Sequence, residues 1–168
     1  TADGQNLDAA LSPWGSLLEE MKSDLVSLHT APLLEKKGVI DANTLRAIQA
    51  SGIYRVLQRV KPRRDQPYQT MQLMQMNYFL ENGLLRFNAD SGRLGIDYER
   101  YPGVVDSLLR EVLAIQASGD PDRAAAFIEQ YGAWDDALHG VLAQRLIEAT
   151  PYRFRMVSYE VLDQQSED

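Results

Sequence analysis

Three acidic side chains, Glu19, Glu20 and Asp24, form an EExxxD pattern in the segment 17–25 (LLEEMKSDL). On a helical wheel at about 100° per residue, Glu20 and Asp24 share one flank beside the apolar face, and Glu19 points to the other flank. Two carboxylates four residues apart repel each other unless a cation or a proton lies between them. The pattern therefore indicates a metal ion or a basic partner for this pair, or else a solvated acidic stripe.

The spacing alone does not decide between these alternatives, because acidic residues are common in this chain. With 24 Asp and Glu in 168 residues, chance produces roughly one such triplet in every two sequences of this composition. Other metal ligands are scarce, since there is no cysteine, no HExxH motif, and His29 and His139 are far apart in sequence. A catalytic zinc needs about three protein ligands. We therefore expect no self-contained histidine-based zinc site in this chain.

The charge balance argues against a nucleic-acid partner. The chain has 17 Lys and Arg against 24 Asp and Glu, a formal charge of −7, whereas phosphate binding depends on basic side chains. One basic run, 59–64 (RVKPRR), is interpreted as a solvated helix end followed by a loop. No apolar stretch approaches the roughly 20 residues of a membrane span. We expect no membrane partner, and the absence of cysteine is compatible with a cytoplasmic location.

The spacing of apolar residues predicts helices for the first half of the chain. Hydrophobic residues make up 45% of the sequence, as in ordinary globular domains. The first predicted helix begins at Leu7, or else at Ser12-Pro13 with Pro13 in its first turn, and it has a short continuation over Pro32–Lys37 that ends at Gly38. A second helix is capped by Asp41 and has a kink or break at Ser51-Gly52. The apolar face of the first helix comprises Leu7, Leu11, Trp14, Leu18, Met21, Leu25 and Leu28.

The second half of the chain is also mainly helical, with one interruption. A third helix, capped by Asp65, stops at Gly83, and the turn 89–92 (ADSG) between two short segments predicts a β-hairpin. Further helices begin at Pro102 and at Asp120-Pro121, and a last one carries Leu138, Val141, Leu142 and Leu146. Residues 152–156 alternate as in a strand. We predict a mainly α fold, a single helical domain over 1–168, with one inserted β-hairpin and a candidate C-terminal strand.

Several segments together resemble the dipeptidyl peptidase III family of zinc metallopeptidases. The run 18–28 (LEEMKSDLVSL) is similar to the EECRAE-type helix of that family. The segments 79–83 (FLENG), 108–113 (LLREVL), 118–120 (SGD) and 124–132 (AAAFIEQYG), together with the hairpin, follow in the family's order and at similar separations. The resemblance covers about residues 17 to 132, and it rests on order and spacing more than on any single motif.

This resemblance implies a role for each acid. Glu20 would be a zinc ligand, while Glu19 and Asp24 would orient the histidine ligands or the metal-bound water without touching the ion. The family's HExxGH-type helix, which supplies two histidine ligands and the water-activating glutamate, lies upstream of the EECRAE-type helix and is absent here. Because the chain also begins at Thr1 without a methionine, we expect it to be the C-terminal portion of a longer zinc-dependent peptidase or hydrolase. Its partners would be the remaining N-terminal part and a peptide or small-molecule substrate. Without the upstream helix, we expect this chain alone neither to bind zinc tightly nor to cleave peptides.

The sequence departs from the family pattern at two places. Asp24 stands where the family has glutamate, and the family's histidine and arginine near the start of the helix before the hairpin are missing. That stretch instead carries Tyr68, Gln69, Gln72 and Gln75. The three glutamines could face a cleft, although a solvated polar stripe is the interpretation we favour. The alternative function is a non-catalytic helical domain for protein contacts, whose EExxxD pattern is a solvated stripe.

Overall fold

A computed structural model of the protein describes residues 1–2, 4–63 and 65–150. Most of these residues are helical and two short strands pair between the fourth and fifth helices, which confirms the mainly α fold with one inserted hairpin. The predicted strand over 152–156 lies outside the described residues. The elements in chain order are α1 (Leu7–Ala10), α2 (Gly15–Lys36), α3 (Ala42–Val56), α4 (Pro67–Glu81), β1 (Leu85–Asn88), β2 (Arg93–Ile96), α5 (Tyr101–Ser118), α6 (Pro121–Tyr131), a π-helical turn (Asp136–Gly140) and α7 (Val141–Ala149).

Helix α2 lies at the centre of the packing, against α3, α4 and α5. Its apolar face is buried as the spacing predicts, with Leu18, Met21 and Leu25 fully shielded from solvent. Of the two predicted starts of the first helix, the one at Leu7 is wrong, since α1 ends at Ala10 and the chain is not helical around Pro13, which cannot donate to the preceding turn. The alternative start at Ser12-Pro13 lies close to the first residue of α2, Gly15. The predicted continuation over Pro32–Lys37 is confirmed. The turn before Pro32 buries apolar side chains against the core, and α2 continues to Lys36.

Helix α3 shows why a glycine in mid-helix need not be a break. Its N-terminus is capped as predicted, with the Asp41 Oδ1 accepting from the Thr44 amide at 2.7 Å. The predicted kink at Ser51-Gly52 is wrong, because α3 runs without interruption to Val56. A Cβ on Gly52 would lie 2.7 Å from the Tyr101 hydroxyl oxygen and 2.9 Å from Leu28 Cδ2. The glycine therefore allows close packing of α3 on α2 and α5.

The hairpin and the helices on either side of it begin and end near the predicted turns. Helix α4 has Pro67 in its first turn, with Gln66 rather than the predicted Asp65 at its cap position. Strands β1 and β2 are antiparallel, and Leu85 pairs with Ile96. Helix α5 ends at Ser118 and is followed by Gly119, whose φ is +63°. The π-helical turn starts the last predicted helix, a feature that apolar spacing does not indicate.

Candidate functional site

The three acids lie on two flanks of α2, as the helical wheel predicts. Glu19 faces α5, where its Oε1 accepts from Gln116 Nε2 at 3.0 Å, and its Oε2 pairs with Lys22 Nζ at 2.6 Å. Glu20 and Asp24 face the other way, toward residues of α3 and α4. Glu19 is therefore bonded to α5, whereas its neighbour Glu20 is bonded to α4.

Glu20 is half-buried and is hydrogen-bonded to a neutral group. The Tyr68 hydroxyl, on the first turn of α4, donates to Glu20 Oε1 at 2.8 Å. This hydrogen bond and the negative charge of Glu20 raise the pKa of the Tyr68 phenol. Tyr68 is itself 56% exposed. The Glu20 carboxylate is thus held in one orientation near solvent, a placement in which a carboxylate can reach a metal ion.

Asp24 is enclosed by the protein, and both of its carboxylate oxygens have partners from other helices. Its side chain is 6% exposed, and its Oδ1 pairs with the guanidinium of Arg55 on α3. Its Oδ2 accepts from Gln75 Nε2 on α4 at 2.9 Å. The structure therefore supplies a basic partner, which is one of the alternatives that the acid spacing indicates. We refer to Asp24, Arg55 and Gln75 as the three-helix clamp.

The three glutamines of α4 do not form a solvated stripe, so that prediction is wrong. Gln75 is fully buried in the clamp. Gln69 and Gln72 instead line a cavity of about 420 Å³, which we call the α3–α4 cavity. The spacing of three residues predicts that the glutamines share one face of α4. It does not predict that this face is covered, because that depends on where α2 and α3 pack. The cavity is lined by Tyr54, Arg55, Leu57, Gln58, Arg59, Val60, Gln69, Gln72, Leu146 and Thr150.

The described residues do not contain a complete metal site. Within 1–2, 4–63 and 65–150, no three His, Cys, Asp or Glu side chains come together in a way that could hold an ion. Asp24 is neutralised by Arg55, and Glu19 by Lys22. Glu20 fits the part of a single zinc ligand, whereas a catalytic zinc needs about three.

The two histidines are bonded to residues other than Glu20. His29 lies on α2 with its Nδ1 3.6 Å from Asp106 Oδ1 of α5. His139 is buried in the π-helical turn, where its Nδ1 accepts from the Asp135 amide at 2.9 Å. Its Nε2 lies 2.8 Å from Asn77 Oδ1. Since Nδ1 is the acceptor, the neutral ring donates from Nε2 and joins this turn to α4.

Burial lowers the pKa of His139 below its ordinary value, and this predicts a loss of stability in acid. The unfolded chain then binds more protons than the folded chain as the pH falls below about 6.5, so the free energy of unfolding decreases there and is fully retained above it. Urea unfolding between pH 5 and 8 measures the effect. We expect His139→Gln to reduce this pH dependence. An unchanged pH dependence in His139→Gln would contradict the assignment.

The fold is the one seen in solved structures of dipeptidyl peptidase III. DPP III from Caldithrix abyssi matches with a TM-score of 0.72 and 23% identity, over 86% of this chain and 27% of that one. Dipeptidyl-peptidase III from Corallococcus sp. strain EGB matches with a TM-score of 0.71 and 24% identity, over 86% of this chain and 26% of that one. The resemblance predicted from the sequence is thus confirmed at the level of the fold.

Sequence comparison gives a further relative. Nudix hydrolase 3 of Arabidopsis thaliana is 28% identical over 116 residues, which are 69% of this chain and 15% of that protein. No family model matches the sequence. The chain therefore spans about a quarter of the two solved chains and a smaller share of the plant protein. In the part of the chain that the structure describes, no helix is both long and apolar enough to cross a lipid bilayer.

Proposed function

We propose that this chain is part of a longer zinc-dependent hydrolase similar to dipeptidyl peptidase III, in which Glu20 is one of the zinc ligands. The observation that carries the proposal is the different bonding partner of each of the three acids, which lie on one helix of that fold. Glu19 and Asp24 are paired with Lys22 and Arg55, while Glu20 is bonded to the neutral Tyr68 hydroxyl. Glu20 therefore keeps its negative charge for a cation that another part of the protein helps to bind.

In this proposal each residue near Glu20 has a defined task. Tyr68 orients the Glu20 carboxylate through its hydrogen bond. Asp24, one helical turn further along, fixes the same flank of α2 to α3 and α4. When bound, zinc in such hydrolases polarises the substrate carbonyl and lowers the pKa of a bound water. Two histidine ligands and the water-activating glutamate would belong to the remaining N-terminal part, and the substrate would be a peptide or small molecule.

One observation favours the alternative, a non-catalytic helical domain that mediates protein contacts. Asp24 has its charge neutralised by Arg55 inside the protein, so its burial is explained without a metal ion. In a domain of this kind Glu20 and Tyr68 would be an ordinary surface hydrogen bond. The two functions differ in whether zinc binding depends on Glu20.

Zinc content tests the proposal. We expect the 168-residue chain to retain well below one zinc per chain after dialysis, because one carboxylate ligand is too few.

The reading frame upstream of Thr1 provides a second test. An HExxGH motif within about a hundred residues before Thr1 supports the proposal, and an in-frame start codon directly before Thr1 overturns it. In the longer protein, Glu20→Gln should weaken zinc binding by more than about 100-fold, because loss of a ligand exceeds loss of an outer partner.

Glu35→Gln is the matched control, since Glu35 lies on the same helix and is also half-buried. We expect this variant to bind zinc as the unsubstituted protein does. Tight binding of one zinc by the 168-residue chain itself would contradict the proposal that the other ligands lie elsewhere in the protein. Unchanged zinc affinity in Glu20→Gln would contradict the assignment of Glu20 and favour the protein-interaction domain.

A further inference from the structure

The α3–α4 cavity concentrates positive charge in an otherwise acidic protein. The chain has a formal charge of −7, yet the described residues that line this cavity include Arg55 and Arg59 and no acid. Arg55 is paired with Asp24. Arg59 donates to the carbonyl oxygen of Thr150 at 2.7 Å and to its hydroxyl oxygen. Both partners are neutral, so within the part of the chain that the structure describes no acid is paired with Arg59.

The basic run 59–64 is therefore not simply a solvated helix end, and that interpretation is wrong for Arg59. Arg59 is half-buried and lies at the wall of the cavity. By contrast, the Arg63 side chain is 71% exposed and pairs with Asp65 at 3.3 Å. The bonds to Thr150 hold one edge of the Arg59 guanidinium in place, which reduces the entropy that a ligand would have to overcome.

The amide groups of the cavity are oriented to add hydrogen-bond donors. Gln58, a buried residue, donates from its Nε2 to Gln72 Oε1 at 3.0 Å. Gln72 accepts this bond through its oxygen, so its NH2 group can donate to a ligand. Gln69 lies one turn away on the same wall. The volume of about 420 Å³ is within the range of small-molecule sites.

We propose that the α3–α4 cavity is a binding site for a small anion that carries a carboxylate or a phosphate group. The guanidinium of Arg59 provides the charge and a planar pair of donors that matches either group. Gln72 adds an amide donor from α4. This inference uses none of the residues proposed to touch zinc, so it stands or fails separately from the proposed function.

The test is a titration of the 168-residue chain with inorganic phosphate and, in a separate arm, with acetate. Binding is followed by isothermal calorimetry, with sodium chloride keeping the ionic strength constant. We expect saturable binding of at least one of the two anions with a Kd on the order of millimolar. The arm with the tighter binding identifies the group that the site prefers.

Substitutions at Arg59 and Arg63 separate a defined site from general charge. Arg59→Gln should weaken binding by at least about tenfold, and Arg63→Gln, which removes the same charge nearby, should leave it within about twofold. Arg59→Lys keeps the charge but lacks the planar donors, so it should weaken binding as well. Circular dichroism verifies that each variant is folded. Absence of saturation with both anions, or equal loss in Arg59→Gln and Arg63→Gln, overturns the proposal.

Discussion

Arg55→Leu is expected to lower the free energy of unfolding by about 3 kcal/mol. The substitution leaves the Asp24 carboxylate, whose side chain is 6% exposed, with Gln75 as its remaining clamp partner. Removal of one member of a buried ion pair costs about 3–5 kcal/mol, since the other charge stays desolvated. We expect a loss at the lower end of this range, because the Arg55 side chain is itself 41% exposed. Urea denaturation monitored by circular dichroism measures the loss.

A second ion pair of the same protein provides a matched control. The Arg123 side chain is also 41% exposed, and its Nη2 lies 2.9 Å from Oε1 of Glu111, which is 41% exposed as well. The two arginines are equally accessible and differ in the burial of their partners. Arg123→Leu should therefore cost less than about 1 kcal/mol, as is usual for surface pairs. Similar losses in Arg55→Leu and Arg123→Leu would show that the burial of Asp24 does not matter.

The flank of α2 on which each acid lies could be predicted from the sequence, because helical geometry fixes angles between positions. The partner of each acid could not be predicted. Asp24 meets Arg55 and Gln75, which lie on two other helices. Arg55 was not among the predicted site residues, since it stands between buried Ile53 and Val56 with no acid in its own helix that would signal an ion pair. Contacts of this kind depend on how the helices pack.

The error at Ser51-Gly52 has the same origin. This pair is a signal for a helix break in an isolated segment. In the folded protein it lies within the continuous helix α3. Burial of neighbouring side chains stabilises the helix more than the local signal destabilises it. By contrast, Asp41 and Asp120 cap helices as predicted, because a cap depends on bonds to residues two or three positions away.

Gly52→Ala is expected to lower the free energy of unfolding by about 2 kcal/mol. The new methyl group would lie 2.7 Å from the Tyr101 hydroxyl oxygen and 2.9 Å from Leu28 Cδ2, both closer than real contacts allow. Overpacking of this kind costs about 1–3 kcal/mol, and the better helix propensity of alanine offsets up to about 1 kcal/mol. Gly103→Ala is the control, since its Cβ would meet no atom within 4 Å. It should be neutral or stabilising in the same urea measurement.

Tyr101→Phe tests whether the close approach to the hydroxyl causes this loss. Tyr101 is 1% exposed, and burial raises the pKa of its phenol to about 12. Among the described residues its hydroxyl has no hydrogen-bond partner, so removing the oxygen should not destabilise the protein. It also removes the 2.7 Å contact. Gly52→Ala should then cost at least about 1 kcal/mol less when combined with Tyr101→Phe than it does alone. Strictly additive losses would place the strain at Leu28 instead, where the second short contact remains.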